Sequence, residues 1–343
     1  MISIADIRSS QNKILVLGNH EPIIQSILDF DYLSGKIEGS VVGIITGRRG
    51  FAKLFFGNHE ILIPTHVALP KSSDLSALRS TSEGEIGTSE ATNLWFLNLL
   101  SGRRTLSSTL ELLSPNSSEP CTSECSELCD SCFVGGALFA ENVPELHSLK
   151  LIEASNEKSL IVGPASVGLI VPGAMKLGPI GGITPDQIRG CFITEPGDVA
   201  VFSASGGMTN ELINIASQSG HRLSFALSFG GDRFPVLSPR EAFLLAEADP
   251  QTKTVLYYGE LGGEDEYELV KLKEEGKFSK NVIAHIAGTV AGLFPESPQF
   301  GHAKAKADKE RTTAGAKRDA LKSVGFQVSN SFDEFINLVN KLK

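Results

Sequence analysis

Three observations predict an α/β protein with two domains in series. A strand-like run from Lys13 to Leu17 gives way to Gly18-Asn19-His20 and then to a helical pattern through Ile23, Ile27 and Leu28. A strand, a glycine turn and a helix make a Rossmann-like opening. From Asp198 onward, apolar strand-like runs alternate with helical patterns, which implies a parallel sheet covered on both faces. Between the two halves, GPASVGLIVPGAMKLGPIGGITP is too dense in Gly and Pro to stay regular for long. Residues 1–162 therefore read as a Rossmann-like domain and residues 163–343 as a flavodoxin-like one.

The elements follow in order. In the first half, further strand-like runs fall at Val41–Ile45, Glu60–Ile63, Leu94–Leu97 and Val134–Phe139. Ser72 to Thr92, rich in Ser, Glu and Gly, reads as exposed helix or loop, and about 114–132 as an insertion. In the second half, strand Asp198–Ser203 leads through a glycine pair into a helix from Met208. Strand Arg222–Leu227 leads into FGGDRFP. Helix Pro239–Ala248 precedes strand Thr254–Tyr258 and the turn GELGG with its helix. Strand Asn281–Ile286, a loop to His302, a helix around Ala314–Ser323, a strand at Phe326–Val328 and a helix from Ser331 complete the chain.

Charge and composition exclude some function classes. The 31 Lys and Arg against 40 Asp and Glu leave a net charge of −9, which argues against nucleic acid or an anionic membrane as the main partner. Phosphorylated small molecules stay open, because backbone donors and single basic residues bind them. The N-terminus has no apolar signal-peptide region and no apolar run reaches membrane-spanning length, so a cytoplasmic protein is expected. Of five cysteines, Cys121, Cys125, Cys129 and Cys132 cluster inside the polar insertion. In a cytosolic chain such a cluster is a structural zinc site or a loop of reduced thiols, and the spacing is not a familiar zinc pattern.

Three segments carry candidate chemistry. Ser205-Gly206-Gly207 follows a strand and opens a helix, so free N–H groups and the helix dipole would meet an anion. An ordinary βα turn capped by serine explains the pattern equally well. Glu260 stands where the carboxyl ends of parallel strands form ligand crevices. There it would accept the Nδ1 proton of a histidine, or simply favour the start of a helix. His302, in a glycine-containing loop, would be a nucleophile once its tautomer is fixed, or merely an exposed histidine.

The residues also carry a family resemblance. In order, GPASVGLIVPG, SASGGMTNE, GGDRFP, GELGG and QFGHA resemble the α-subunit of succinyl-CoA synthetase. The stretches ILDFDY, FFGNHEILIP, SGRRTLSST and AENVPE draw the chain closer to the citrate branch, ATP-citrate lyase and citryl-CoA synthetase. The resemblance runs from about residue 12 to the C-terminus, interrupted by the cysteine segment. It implies that His302 is a phosphohistidine oriented by Glu260, and that the helix at Gly206-Gly207 is one of two helices whose N-termini steady the phosphoryl group. Ser205, Gly231 and Asp232 would be phosphate- or substrate-binding. Gly18, Asn19, Ser101, Arg103, Glu141 and Asn142 would lie near CoA. ATP and Mg would sit on an ATP-grasp β-subunit in a hetero-oligomer, a heterotetramer, with citrate as the acid.

Some positions depart from the family pattern. Lys304 and Asn142 each replace a glycine, and Ala204 an arginine. Lys304 would either pair with a phosphate or stiffen a loop that must move. The sequence holds no ATP-grasp domain and no citrate synthase-like domain, so with a β-partner it is expected to stop at citryl-CoA. The alternatives are a succinyl-CoA synthetase-like subunit for another acid, and a non-catalytic CoA-binding regulatory subunit.

Overall fold

The computed structural model describes residues 1–69, 92–113, 133–155 and 159–342. Most of Ser72–Thr92 and the whole cysteine cluster lie outside the described residues. Two seven-stranded sheets organise the chain.

The first sheet is built on β1 (Gln11–Leu17), β2 (Val41–Ile45), β3 (Gly50–Phe56), β4 (His59–His66), β5 (Thr92–Asn98), β6 (Gly135–Leu138) and β7 (Leu160–Val162), in the order β3-β4-β2-β1-β5-β6-β7. All neighbours are parallel except β3, which forms a hairpin with β4 through Gly57-Asn58. Gly57 sits at φ 62°, as a two-residue hairpin turn requires. Without β3, the order is that of a dinucleotide-binding sheet, whose direction of winding reverses between β1 and β5. The helices are α1 (Ile4–Ser9), α2 (Glu21–Leu33), α3 (Gly102–Leu113) and α4 (Glu145–Ser155).

The second sheet begins in the Gly/Pro-rich stretch, whose apolar residues make a short antiparallel pair, β8 (Leu169–Val171) and β9 (Met175–Leu177), followed by α5 (Pro185–Gly190). Then come β10 (Val199–Ser203), α6 (Gly206–Gln218), β11 (Leu223–Ser228), α7 (Pro239–Ala248), β12 (Thr254–Glu260), α8 (Asp265–Glu274), β13 (Asn281–Ala287), α9 (Ala314–Ser323), β14 (Gln327–Ser329) and α10 (Phe332–Val339). The parallel part runs β14-β13-β12-β10-β11, the flavodoxin-like order. The predicted α/β architecture therefore holds in both halves. β10 and β11 are buried at every residue, as strands covered on both faces must be. Phe202 anchors the core with ring contacts to Phe225, Phe229 and Phe243 at 5.2–6.1 Å. Among the described residues, no helix is long and apolar enough to cross a membrane.

Polar contacts join the halves. Lys176, fully buried on β9, donates to Ser26 Oγ of α2 at 2.8 Å. Arg8 of α1 forks onto Asp249 after α7, with Nη1–Oδ1 at 2.6 Å and Nη2–Oδ2 at 2.8 Å. Burial raises the Asp249 carboxyl, but hydrogen bonds from Arg8 and Thr252 outweigh it and hold the group below its ordinary value. The pair therefore stabilises the fold above the ordinary carboxylate range, and its contribution fades as pH falls through the depressed folded value. Arg8→Ala is expected to cost about 3 kcal/mol near neutral pH, because it leaves a buried carboxylate unpaired. Denaturant melts at about pH 7 and about pH 3 should show the deficit narrowing in acid, as Asp249 protonates.

Candidate active site

Glu260 is the last residue of β12. The apolar pattern ends this strand at Tyr258, but the backbone ladder continues, with Gly259 opposite Ile286 and Glu260 opposite Ala287. Ladder hydrogen bonds do not depend on side-chain polarity, so the strand delivers a carboxylate at the carboxyl edge of the sheet. His302 arrives from the connection between β13 and α9 in a tight turn. The Phe300 N–H donates to Ala305 O at 2.9 Å, and the Ala305 N–H to His302 O at 3.0 Å. Gly301 bends the chain at φ 61°.

The two side chains meet. His302 Nδ1 stands 2.8 Å from Glu260 Oε1 and 3.0 Å from Oε2. Glu260 holds the imidazole above its ordinary value, chiefly through this hydrogen bond, against the opposing effects of burial and of the Lys304 charge. In the neutral ring, with Nδ1–H donated to the carboxylate, Nε2 keeps its lone pair. The ring lines a cavity of about 550 Å³ together with Ser205, Gly206, Gly207, Gly231 and Asp232, and with Glu141 and Asn142 from the first domain. Ser205 caps α6 by accepting from the Met208 N–H at 3.3 Å. The N–H groups of Gly206 and Gly207, in the first turn, have no intrahelical acceptor, so the positive end of α6 faces the cavity. Gly231 makes room for the ring: a Cβ there would lie 2.4 Å from His302 Cδ2.

Asp232 lines the same cavity and also has backbone partners. Its oxygens accept the backbone N–H groups of Asn142 at 3.1 Å and Val143 at 2.9 Å. Burial raises its carboxyl against those two bonds. Asp232 thus ties the turn after β11 to the loop after β6 at the rim of the cavity. Lys304 turns onto Asp265 at the start of α8, with Nζ–Oδ2 at 2.5 Å, a contact that ties down the loop.

The remaining expected residues gather at the carboxyl ends of β1, β5 and β6, across the winding reversal. Gly18, at φ 93°, donates its N–H to Ile45 O at 2.9 Å and backs onto Leu99 and Leu100. Asn19 follows it. Ser101 precedes α3, where a Cβ on Gly102 would lie 3.1 Å from the carbonyls of Glu141 and Asn142. Arg103 is exposed on the same helix. Of this group only Glu141 and Asn142 line the cavity with His302; Gly18, Asn19, Ser101 and Arg103 stand apart from it. Sequence reading missed Arg48 and Arg49, exposed just after β2. The available signal was their place after the second strand of a dinucleotide-type sheet, where such folds meet a ribose or its phosphate. It also missed Lys317 and Glu266, packed behind Glu260. Cys121, Cys125, Cys129 and Cys132 lie outside the described residues. Among those described, no cluster of His, Cys, Asp or Glu is arranged to hold a metal.

Glu260→Gln removes the charge that favours the imidazolium. An NMR titration of His302 should then show its pKa falling toward the ordinary value of about 6.5. An unchanged pKa would separate the histidine electrostatically from residue 260.

A CoA-ligase family model matches residues 202–326. ATP-citrate synthase beta chain protein 1 of Arabidopsis thaliana is 37% identical over 327 residues, covering 94% of this chain and 49% of the relative. The human ATP-citrate synthase is 33% identical over 97% of this chain and 28% of its own length. The structure of ATP citrate lyase from Methanothrix soehngenii in complex with citrate and coenzyme A superposes with a TM-score of 0.84 at 32% identity, covering 98% of this chain and 50% of that one. A dinucleotide-forming acetyl-coenzyme A synthetase of Ca. Korarchaeum cryptofilum, 14% identical with a TM-score of 0.62, shares the fold. The chain thus spans half or less of the length of the ATP-citrate synthases and lyase it matches. Residues 202–326 thus carry a CoA-ligase domain, and the chain is similar over nearly all of its length to a part of ATP-citrate synthases and lyases.

Proposed function

We propose that this chain is the phosphohistidine- and CoA-bearing subunit of an ADP-forming acid–CoA ligase, making citryl-CoA from citrate, CoA and ATP with an ATP-grasp partner. The observation that carries the reading is the 2.8 Å contact between His302 Nδ1 and Glu260, with the same ring facing the N-terminus of α6 across one cavity.

The chemistry follows from that arrangement. A carboxylate is a poor electrophile until a leaving group is attached to it. His302 Nε2 attacks the γ-phosphorus of ATP delivered by the partner, and ADP leaves. Glu260 stabilises the positive charge that develops on the ring, and the amides of Gly206 and Gly207 meet the phosphoryl oxygens. A citrate carboxylate oxygen then attacks phosphorus, restoring the free histidine and giving citryl phosphate. The CoA thiolate attacks the acyl carbon, and inorganic phosphate leaves as the thioester forms. Glycine at residue 18 and the Ser101–Gly102 turn let a ligand approach the backbone closely at the winding reversal of the first sheet. That crevice fits the nucleotide end of CoA, whose ribose phosphate would meet Arg48 and Arg49. Citrate is preferred as the acid because the solved relative at 32% identity is described with citrate and coenzyme A, and a second structure of such a lyase with (3S)-citryl-CoA. A heterotetramer with the ATP-grasp partner and a cytoplasmic location complete the proposal.

Incubation with the partner and γ-labelled ATP should place acid-labile phosphate on this chain, and His302→Asn should abolish it. Citrate should discharge the label and, with CoA, yield citryl-CoA. Discharge by succinate in place of citrate would overturn the assignment of the acid, and absence of label would overturn the phosphohistidine. Arg48→Ala/Arg49→Ala should weaken CoA binding by about tenfold or more. Calorimetry at rising salt should show a shallower salt dependence than the unmodified chain.

A further inference from the structure

Against the main chain of Glu260 lies a buried ion pair that takes no direct part in the proposed chemistry. The side chains of Lys317 on α9 and Glu266 on α8 are 1% and 3% exposed, with Nζ–Oε2 at 2.6 Å. The ammonium spends its other two protons on backbone carbonyls. Lys317 Nζ donates to Glu260 O at 2.8 Å and, more closely, to Gly262 O. Tyr257 OH donates to the other Glu266 oxygen at 3.1 Å, and burial keeps that phenol protonated.

Such a pair is weak evidence for stability, because burying two charges offsets most of their attraction. What it does here is geometric. The two carbonyls flank Leu261, where β12 ends and the chain turns. One carbonyl belongs to the residue that holds the histidine. The other belongs to Gly262, at φ 82°, on which the histidine loop rests so closely that a Cβ would lie 1.9 Å from Lys304 O. A single ammonium therefore fixes both the strand end that carries Glu260 and the turn that supports the His302 loop.

We propose that Lys317 is a positioning residue that sets the distance between Glu260 and His302. Its kinetic consequence rests on the phosphohistidine reading above; its structural consequence does not. The test is Lys317→Met/Glu266→Gln, which removes one charge of each sign and leaves no buried charge unpaired. A thermal melt of the full chain should show it folded. In an NMR titration its His302 pKa should fall by about one unit, since a displaced Glu260 no longer holds the imidazolium. With the ATP-grasp partner, phosphate uptake on His302 should slow by about tenfold to a hundredfold. Lys317→Gln/Glu266→Gln keeps two N–H donors on a side chain one atom shorter and should recover part of both effects; recovery of neither would count against the carbonyl contacts. A folded Met variant with wild-type His302 pKa overturns the proposal. If the unmodified chain takes up no phosphate, the phosphohistidine reading fails, and the titration still decides the role of Lys317.

Discussion

The hydrogen bond between His302 Nδ1 and Glu260 is the constraint to which the rest of the site is fitted. An imidazole serves as a nucleophile at Nε2 only if its other nitrogen keeps the proton and its ring is held still. The fold meets both demands with one carboxylate at the end of a central strand, the stiffest kind of support in a parallel sheet. The glycines nearby follow from the same demand. Residue 231 must lack a side chain because the ring occupies that space, and residue 262 because the loop carrying the ring passes over it. The same carboxylate raises the histidine's pKa, so the neutral form grows in as pH rises through a value above the ordinary one. Nucleophile availability therefore increases toward alkaline pH.

The cavity belongs to both domains, and this explains the use of Asp232. Read as a residue following Gly231 in a phosphate-facing segment, it invites assignment to the ligand. In place, it is committed to two backbone N–H groups of the first domain. The loop it holds contains Glu141 and Asn142, which connect the crevice at the ends of β1, β5 and β6 to the histidine. On the proposed chemistry, a thiol delivered from that crevice would have to reach an acyl group formed beside His302. Fixing that loop to the second domain sets the path between them.

The sequence discloses the fold more readily than the pairings within it. Strands such as β10 and β11 are apolar at nearly every position, so their burial shows in composition, and the helices after Ser205 and Ser238 begin at side-chain caps. The hairpin of β3 and β4 was readable from Gly57-Asn58, but its strands alternate exposed Phe51 and Phe55 with Lys53 and so lack a buried pattern. Contact between residues 260 and 302 could be inferred only from resemblance, because nothing local brings together groups 42 positions apart. Lys317 was hidden for a different reason. A lysine near the start of a helix reads as a solvated charge, and only the tertiary arrangement shows that its ammonium faces inward to two carbonyls.

The departures from the family pattern can be judged by what the backbone asks of each position. Asn142 stands where the pattern has glycine, at φ 56°, and asparagine is among the few residues that occupy this left-handed region readily. The substitution keeps the conformation that brings the loop to Asp232. Lys304 also replaces a glycine, but its backbone is not left-handed, so no conformational requirement is broken. Its side chain finds Asp265 in the first turn of α8, where the helix dipole already favours the acid. The loop thereby gains a second tether beside the histidine, and the ammonium opposes the rise in pKa that Glu260 imposes. A tethered loop favours a histidine that transfers phosphate while docked over one that must swing far, since each excursion would have to break a partly buried ion pair. On the proposed reading, the acceptor acid would then have to come to the docked ring, within the cavity that Gly206, Gly207 and Gly231 line.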